Sequence, residues 1–78
     1  MTNATIPQWT LNDRMQKSMR AAGISLADIA AEFGVHRNTV SGWIHGRIKP
    51  STTTLKLWAV TTNVPYEWLI SGDEALSA

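Results

Sequence analysis

The sequence contains no cysteine among its 78 residues. This absence excludes a disulfide framework and a thiolate metal site as sources of stability. No apolar run approaches the roughly 18 residues of a membrane span, and the segment MTNATIPQW lacks the charged and apolar regions of a signal peptide. We therefore expect a soluble intracellular protein, cytoplasmic in a bacterium or in a phage-infected host cell.

Acidic residues are missing from the middle of the chain. Between Glu32 and Glu67 the sequence has four cationic residues and no anionic one, although the net charge is only +1. All basic residues lie between positions 14 and 56: Arg14, Lys17, Arg20, Arg37, Arg47, Lys49 and Lys56. A basic surface with an acidic opposite end is typical of a domain that faces DNA. A solvated helix surface with chance asymmetry would give the same pattern.

A chain of this length has room for one small domain and for no separate catalytic or ligand-sensing domain. Its apolar residues recur at helical spacing, and no strand alternation is visible. We predict an all-α fold, a compact bundle of five short helices, in which Trp43 and Trp58 belong to the core. Residues 1–9 are predicted to be an N-terminal arm and residues 73–78 a C-terminal tail.

Caps and glycines predict where the helices begin and end. Thr10 with Asp13, and Ser25 with Asp28, form two capping boxes. Gly23 and Asn63 suit the left-handed position after a last turn. The predicted helices cover about 11–22, the segment from 26 to the turn at 34, about 37–45, the segment from 51 to 63, and 66–70.

The second and third predicted helices carry the most informative pattern. The second has an apolar stripe that includes Ile29 and Phe33, Gly34 follows, and the third places Val40 and Trp43 inward. Two short helices joined by a three- to four-residue turn that contains glycine form a helix-turn-helix. Its second helix can lie in the major groove of DNA.

On these residues, the segment 25–72 resembles the lambda-repressor/Cro-like helix-turn-helix family, which is common among phage repressors. The resemblance rests on the phrase GRIKPS, on the later NVPYEWLISG, and on residues at their expected spacing: Ala30, Gly34, Val35, Val40 and Trp43. It implies a sequence-specific regulator of transcription that binds double-stranded DNA.

The outward side of the third helix is then expected to read bases. Arg37 matches guanine and Asn38 matches adenine in the major groove. The predicted base contacts are His36, Arg37, Asn38, Ser41 and His45, and the predicted phosphate contacts are Thr39, Arg47 and Lys49. Gly42 is counted as an outward position without a side chain to read bases, and His36 is expected to cap the helix poorly.

The last predicted helix indicates a second subunit. Trp68, Leu69 and Ile70 form an apolar group too large for so short a helix to bury alone, and such patches mark interfaces. In the resembling family this end often pairs two subunits, so we predict a homodimer through Tyr66, Trp68, Leu69 and Ile70. Trp68 and Leu69 could instead close the core. Trp9 could pack at the N-terminus or join the interface.

The resulting expectation is a phage or prophage repressor of the Cro-like type that occupies operator DNA, on an inverted repeat, as a dimer. An antitoxin-type autoregulator and an accessory factor for excision belong to the same class. A module that uses this fold to bind a protein instead of DNA is the alternative from another class. With no nucleophile beside a base, no phosphate loop and no metal cluster, the sequence predicts no enzyme activity, cofactor, metal or small-molecule ligand.

Overall fold

The structure, a computed structural model, describes residues 10–72, and this range forms five α-helices without a strand. The helices are α1 (Leu11–Ala22), α2 (Leu26–Phe33), α3 (Arg37–Ile44), α4 (Thr52–Thr62) and α5 (Tyr66–Ser71). The all-α prediction is confirmed. The predicted arm with Trp9, and the predicted tail, lie outside the described residues. None of the five helices is long and apolar enough to cross a membrane.

Helix ends follow the predicted local signals. The Thr10 side chain accepts from the backbone of Asp13, and the Asp13 carboxylate accepts from the Thr10 N–H at 3.1 Å. Ser25 and Asp28 repeat this reciprocal pair at the start of α2, with both distances 3.1 Å. These bonds satisfy N–H groups that have no partner inside a helix. Asn63 ends α4 in the left-handed conformation at φ 60°, as predicted.

The core forms where the apolar stripes of all five helices meet. Its buried residues are Met15, Ile29, Ala30, Val40, Trp43, Ile44, Leu55, Trp58, Ala59 and Leu69. The rings of Phe33, Trp43 and Trp58 lie 6.0 to 6.3 Å apart in tilted and edge-on pairs, the arrangements that aromatic quadrupoles favour. The prediction that Trp43 and Trp58 belong to the core is confirmed.

Helix α1 packs against α3, α4 and α5 and supplies polar side chains to the ends of α3 and α5. Arg14 is 8% exposed, and its guanidinium donates to the carbonyls of Leu69 at 2.7 Å and Ile70 at 2.9 Å in α5. Grouping Arg14 with a basic surface was therefore wrong. Its burial is tolerated because the guanidinium donates to carbonyls that have no partner within α5. A cation at the C-terminal end of a helix also interacts favourably with the helix dipole.

Candidate nucleic-acid interface

Residues 34–36 join α2 to α3 in a tight turn. Gly34 takes φ +67°, the left-handed region that glycine enters without steric cost. The N–H of Val35 then donates to the carbonyl of Ala30 at 3.0 Å. Ala30 is itself 5% exposed, and α2 packs directly on α3. The two helices and their glycine-containing turn have the predicted helix-turn-helix arrangement.

Buried side chains on one side of α3 leave the opposite side free. Val40, Trp43 and Ile44 are at most 7% exposed and hold α3 to the core. The predicted base contacts lie on the other side, which we call the outer face of α3: His36, Arg37, Asn38 and His45 are exposed and Ser41 is half-buried. Side chains anchored in this way keep the outer face in a fixed orientation.

His36 caps α3, contrary to the expectation that it would cap poorly. Its Nδ1 accepts a hydrogen bond from the backbone N–H of Asn38 at 3.1 Å. An accepting nitrogen carries no proton, so in the neutral ring the proton lies on Nε2. His36 therefore presents an N–H donor at Nε2, which suits acceptors such as phosphate oxygens or the N7 and O6 atoms of guanine.

His45 has the opposite arrangement at the other end of α3. Its Nδ1 lies 2.9 Å from the carbonyl oxygen of Ser41 and 3.1 Å from the Ser41 hydroxyl. A carbonyl oxygen can only accept, so this contact requires the proton on Nδ1 and leaves Nε2 as an acceptor in the neutral ring. His45 can therefore accept from an exocyclic amino group of adenine or cytosine.

Arg47 lies beside the outer face of α3 rather than apart from it. Its guanidinium donates to the Ser41 hydroxyl at 3.2 Å, so Arg47 and His45 both contact Ser41. The predicted phosphate contact and two predicted base contacts thus form one cluster at the outer face of α3. Ser41 helps to orient the longer side chains on either side of it.

The expectation that Gly42 is an empty outward position is wrong. It is buried, because Ile48 lies over it: a Cβ built on Gly42 would be 2.6 Å from Cδ1 and 2.8 Å from Cγ1 of Ile48. The N–H groups of Arg47 and Ile48 both donate to the Gly42 carbonyl, at 2.8 and 3.0 Å. The loop after α3 therefore folds back onto the helix. Sequence reasoning missed Ile48. The feature that could have indicated it is an apolar residue between the two cations Arg47 and Lys49.

Thr39 and Lys49, the remaining predicted phosphate contacts, differ in exposure. Lys49 is exposed, whereas Thr39 is half-buried and its backbone N–H already donates to the His36 carbonyl at 2.9 Å. Only the hydroxyl of Thr39 is then left for a phosphate. Within residues 10–72 no group of three or more histidine or acidic side chains could hold a metal ion.

The predicted interface residues of α5 separate into buried and exposed members. Leu69 is fully buried and closes the core, the alternative that the sequence left open, so its side chain cannot reach a second subunit. Tyr66 and Trp68 are half-buried, and Ile70 is 41% exposed. Val60 of α4, which sequence reasoning missed, is 77% exposed and lines a shallow groove together with Tyr66.

Comparison with known proteins agrees with this geometry. A family model described as helix-turn-helix matches residues 15–69. The Antitoxin HigA-1 of Vibrio cholerae is 43% identical over 47 residues, which make up 60% of this chain and 45% of that protein. The chain thus spans less than half the length of this curated relative.

Proposed function

The chain belongs to the lambda-repressor/Cro-like helix-turn-helix family of DNA-binding regulators, and we propose that it represses transcription by occupying operator DNA as a homodimer, as a phage or prophage repressor. The observation that carries the proposal is the outer face of α3. That face exposes hydrogen-bonding side chains while Val40 and Trp43 hold the helix in the core.

Base reading is assigned to five side chains of α3 and its two caps: His36, Arg37, Asn38, Ser41 and His45. Arg37 donates two bonds to guanine, and the amide of Asn38 pairs with adenine. His36 donates and His45 accepts, which their contacts with Asn38 and Ser41 support. Each good bidentate pair discriminates against the wrong base by about 1–3 kcal/mol, so Arg37 and Asn38 supply most of the specificity.

Phosphate contacts hold the domain in register on the duplex. The exposed cations Arg47 and Lys49 follow α3 directly, and the Thr39 hydroxyl lies in its first turn. Cations that neutralise phosphates release counterions, which gives an affinity that falls with salt. No acidic residue lies between Glu32 and Glu67, so this segment has no carboxylate that would repel the phosphates.

Pairing of two subunits is assigned to the surface of α5 and the adjoining part of α4. Ile70 and Val60 are exposed apolar residues, and Tyr66 and Trp68 are half-buried. A dimer that covers them would place two copies of α3 on an inverted repeat. Its half-sites would lie about 34–36 Å apart, one turn of B-DNA.

The test is a selection of bound duplexes from a random DNA pool at about physiological salt. We expect an enriched inverted repeat with half-sites about one helical turn apart. A single unrepeated half-site would contradict the dimer and keep the DNA reader. No enrichment would contradict operator binding and favour the protein-interaction module.

Substitution of Arg37 then links the selected site to α3. Arg37→Ala should cost about 1–3 kcal/mol of binding free energy and relax the preference at one base. The control is Arg20→Ala, because Arg20 is an exposed cation of α1, outside both the outer face of α3 and the proposed pairing surface. Equal affinities of the two variants would contradict the assignment of Arg37.

A second candidate function rests on the similarity to an antitoxin. An antitoxin-type autoregulator would bind DNA and also neutralise a protein toxin. The experiment is to express each open reading frame that neighbours this one, alone and with the chain, and to measure growth. Arrest that the chain relieves, and that Arg37→Ala relieves equally, would support neutralisation by protein contact. Relief lost with Arg37→Ala would indicate transcriptional repression alone.

A further inference from the structure

We propose that Ile48, in the loop after α3, reads a base by packing against the 5-methyl group of a thymine. This inference rests on the proposed function and deepens it, because it adds an apolar contact to the polar readout of α3. Neither the helix-turn-helix match nor the pattern of α3 assigns a role to this residue.

The position of Gly42 on α3 places Ile48 at the outer face. Residues four apart on a helix lie one turn apart on the same side, so Gly42 follows Asn38 on the outer face, away from the inward Val40 and Trp43. The residue is nevertheless buried, and Ile48 Cδ1 and Cγ1 lie 2.6 and 2.8 Å from the position that a Cβ would take. Ile48 thus supplies the side chain that α3 lacks at Gly42.

The core does not require Ile48 at this position. It is 43% exposed and is absent both from the core and from the partly buried apolar residues that pack on the core. Its sequence neighbours Arg47 and Lys49 are exposed cations. An apolar side chain held between two predicted phosphate contacts is placed to face DNA.

The chemistry of the major groove indicates what Ile48 would contact. Among the base edges there, the thymine methyl is the apolar group, and aliphatic side chains are its usual partners. Two backbone bonds to the Gly42 carbonyl fix the loop, and a β-branched side chain has few rotamers. The contact is therefore preorganised and loses little entropy on binding.

The experiment measures coupling between Ile48 and single methyl groups of the selected operator. Each thymine of a half-site is replaced in turn by uracil, which removes only the methyl, and affinities are measured for the wild type and Ile48→Ala. We expect one replacement to weaken wild-type binding about fourfold, the value of one buried methyl-sized group, and to leave Ile48→Ala unaffected. Leu57→Ala is the control, because Leu57 is 42% exposed and lies on α4.

A second variant tests the packing of Ile48 on Gly42 and keeps the Ile48 side chain. In Gly42→Ala the new Cβ would displace Ile48. Replacing the same thymine by uracil should then no longer weaken binding, and urea denaturation verifies that the variant is folded. Equal uracil effects in the wild type and Ile48→Ala, or a half-site without thymine, would overturn the inference alone. A wild type that selects no site would overturn the proposed function as well.

Discussion

The side-chain amide of Gln16 in α1 donates a 2.8 Å hydrogen bond to the carbonyl of Ile44, the last residue of α3. The C-terminal end of the helix that carries the predicted base contacts is therefore bonded to a side chain of another helix. Carbonyls in a last turn have no partner within their own helix, so Gln16 supplies a donor where the outer face of α3 ends.

Replacement of the Gln16 donor should lower stability in a defined order. Gln16→Met keeps a similar shape and should cost about 0.5–1.5 kcal/mol of unfolding free energy, the net value of one hydrogen bond. Gln16→Glu should cost more, since a carboxylate then faces the Ile44 carbonyl. Urea denaturation measures both variants, and a Glu variant as stable as the wild type would contradict the contact.

Removal of the Arg14 guanidinium should be among the most damaging polar substitutions. Arg14→Met leaves the carbonyls of Leu69 and Ile70 without these donors, and hydrogen bonds from charged groups contribute about 1.5–3 kcal/mol each. The matched control is Arg20→Met, an exposed position of the same helix, expected to change stability by less than about 0.5 kcal/mol. Thermal unfolding distinguishes them, and equal shifts would refute the buried role of Arg14.

Ser18 and Trp58 should prove coupled in a double-mutant cycle. The Nε1–H of Trp58 donates to Ser18 Oγ at 2.9 Å, and both residues are buried. Ser18→Ala leaves this donor unsatisfied and should cost about 1–3 kcal/mol of unfolding free energy. In the background of Trp58→Phe, which has no N–H, the same change should cost less. Additive effects would show that the bond contributes nothing.

The capping box of α2 should lose strength in acid. The backbone N–H of Ser25, and then its hydroxyl, hold the pKa of Asp28 below its ordinary value of 3.8. Because the folded pKa lies below the unfolded one, the stabilisation is complete above about pH 3.8 and disappears as the pH falls through the folded pKa. Asp28→Asn should therefore flatten the fall in stability below pH 4, as urea midpoints will show. Glu32→Gln removes an exposed carboxylate from the same helix as the control.

Lys49 should contribute affinity without specificity. Lys49→Ala is expected to weaken binding about equally on all duplexes and to reduce the slope of log affinity against log salt by about 1. Arg37→Ala should instead relax preference at one base. Fluorescence titrations at several salt concentrations measure both slopes, with Arg20→Ala, at an exposed cation of α1, as control. A Lys49 variant that changes base preference would contradict its assignment to phosphate.

The helix bounds were predictable because their signals are local. Thr10, Ser25 and Asn63 act within a few residues of their own position, and the structure places each at the predicted helix end. Capping pairs and left-handed residues depend on neighbouring backbone groups, which the sequence displays directly.

The roles of Arg14 and Ile48 were not predictable in this way. Arg14 binds backbone carbonyls 55 and 56 residues away, and a carbonyl is present at every position of a chain. Ile48 lies over a residue that has no side chain, so no complementary pair marks the contact. Leu69 and Trp68 differ in burial only through the rotation of α5 on the core, which the short sequence of that helix leaves undetermined.

The hydrogen bonds of α1 have a consequence for the geometry of any operator. Arg14 and Gln16, two positions apart, hold the ends of α5 and α3. Within residues 10–72, α3 and the α5 of the proposed pairing surface are thus both held to α1, and we expect the distance between that surface and the outer face of α3 to be fixed. One inserted base pair between half-sites turns one of them by about 34° around the DNA axis. We expect a dimer of this domain to lose affinity for such a site, because its two copies of α3 could not both reach their half-sites.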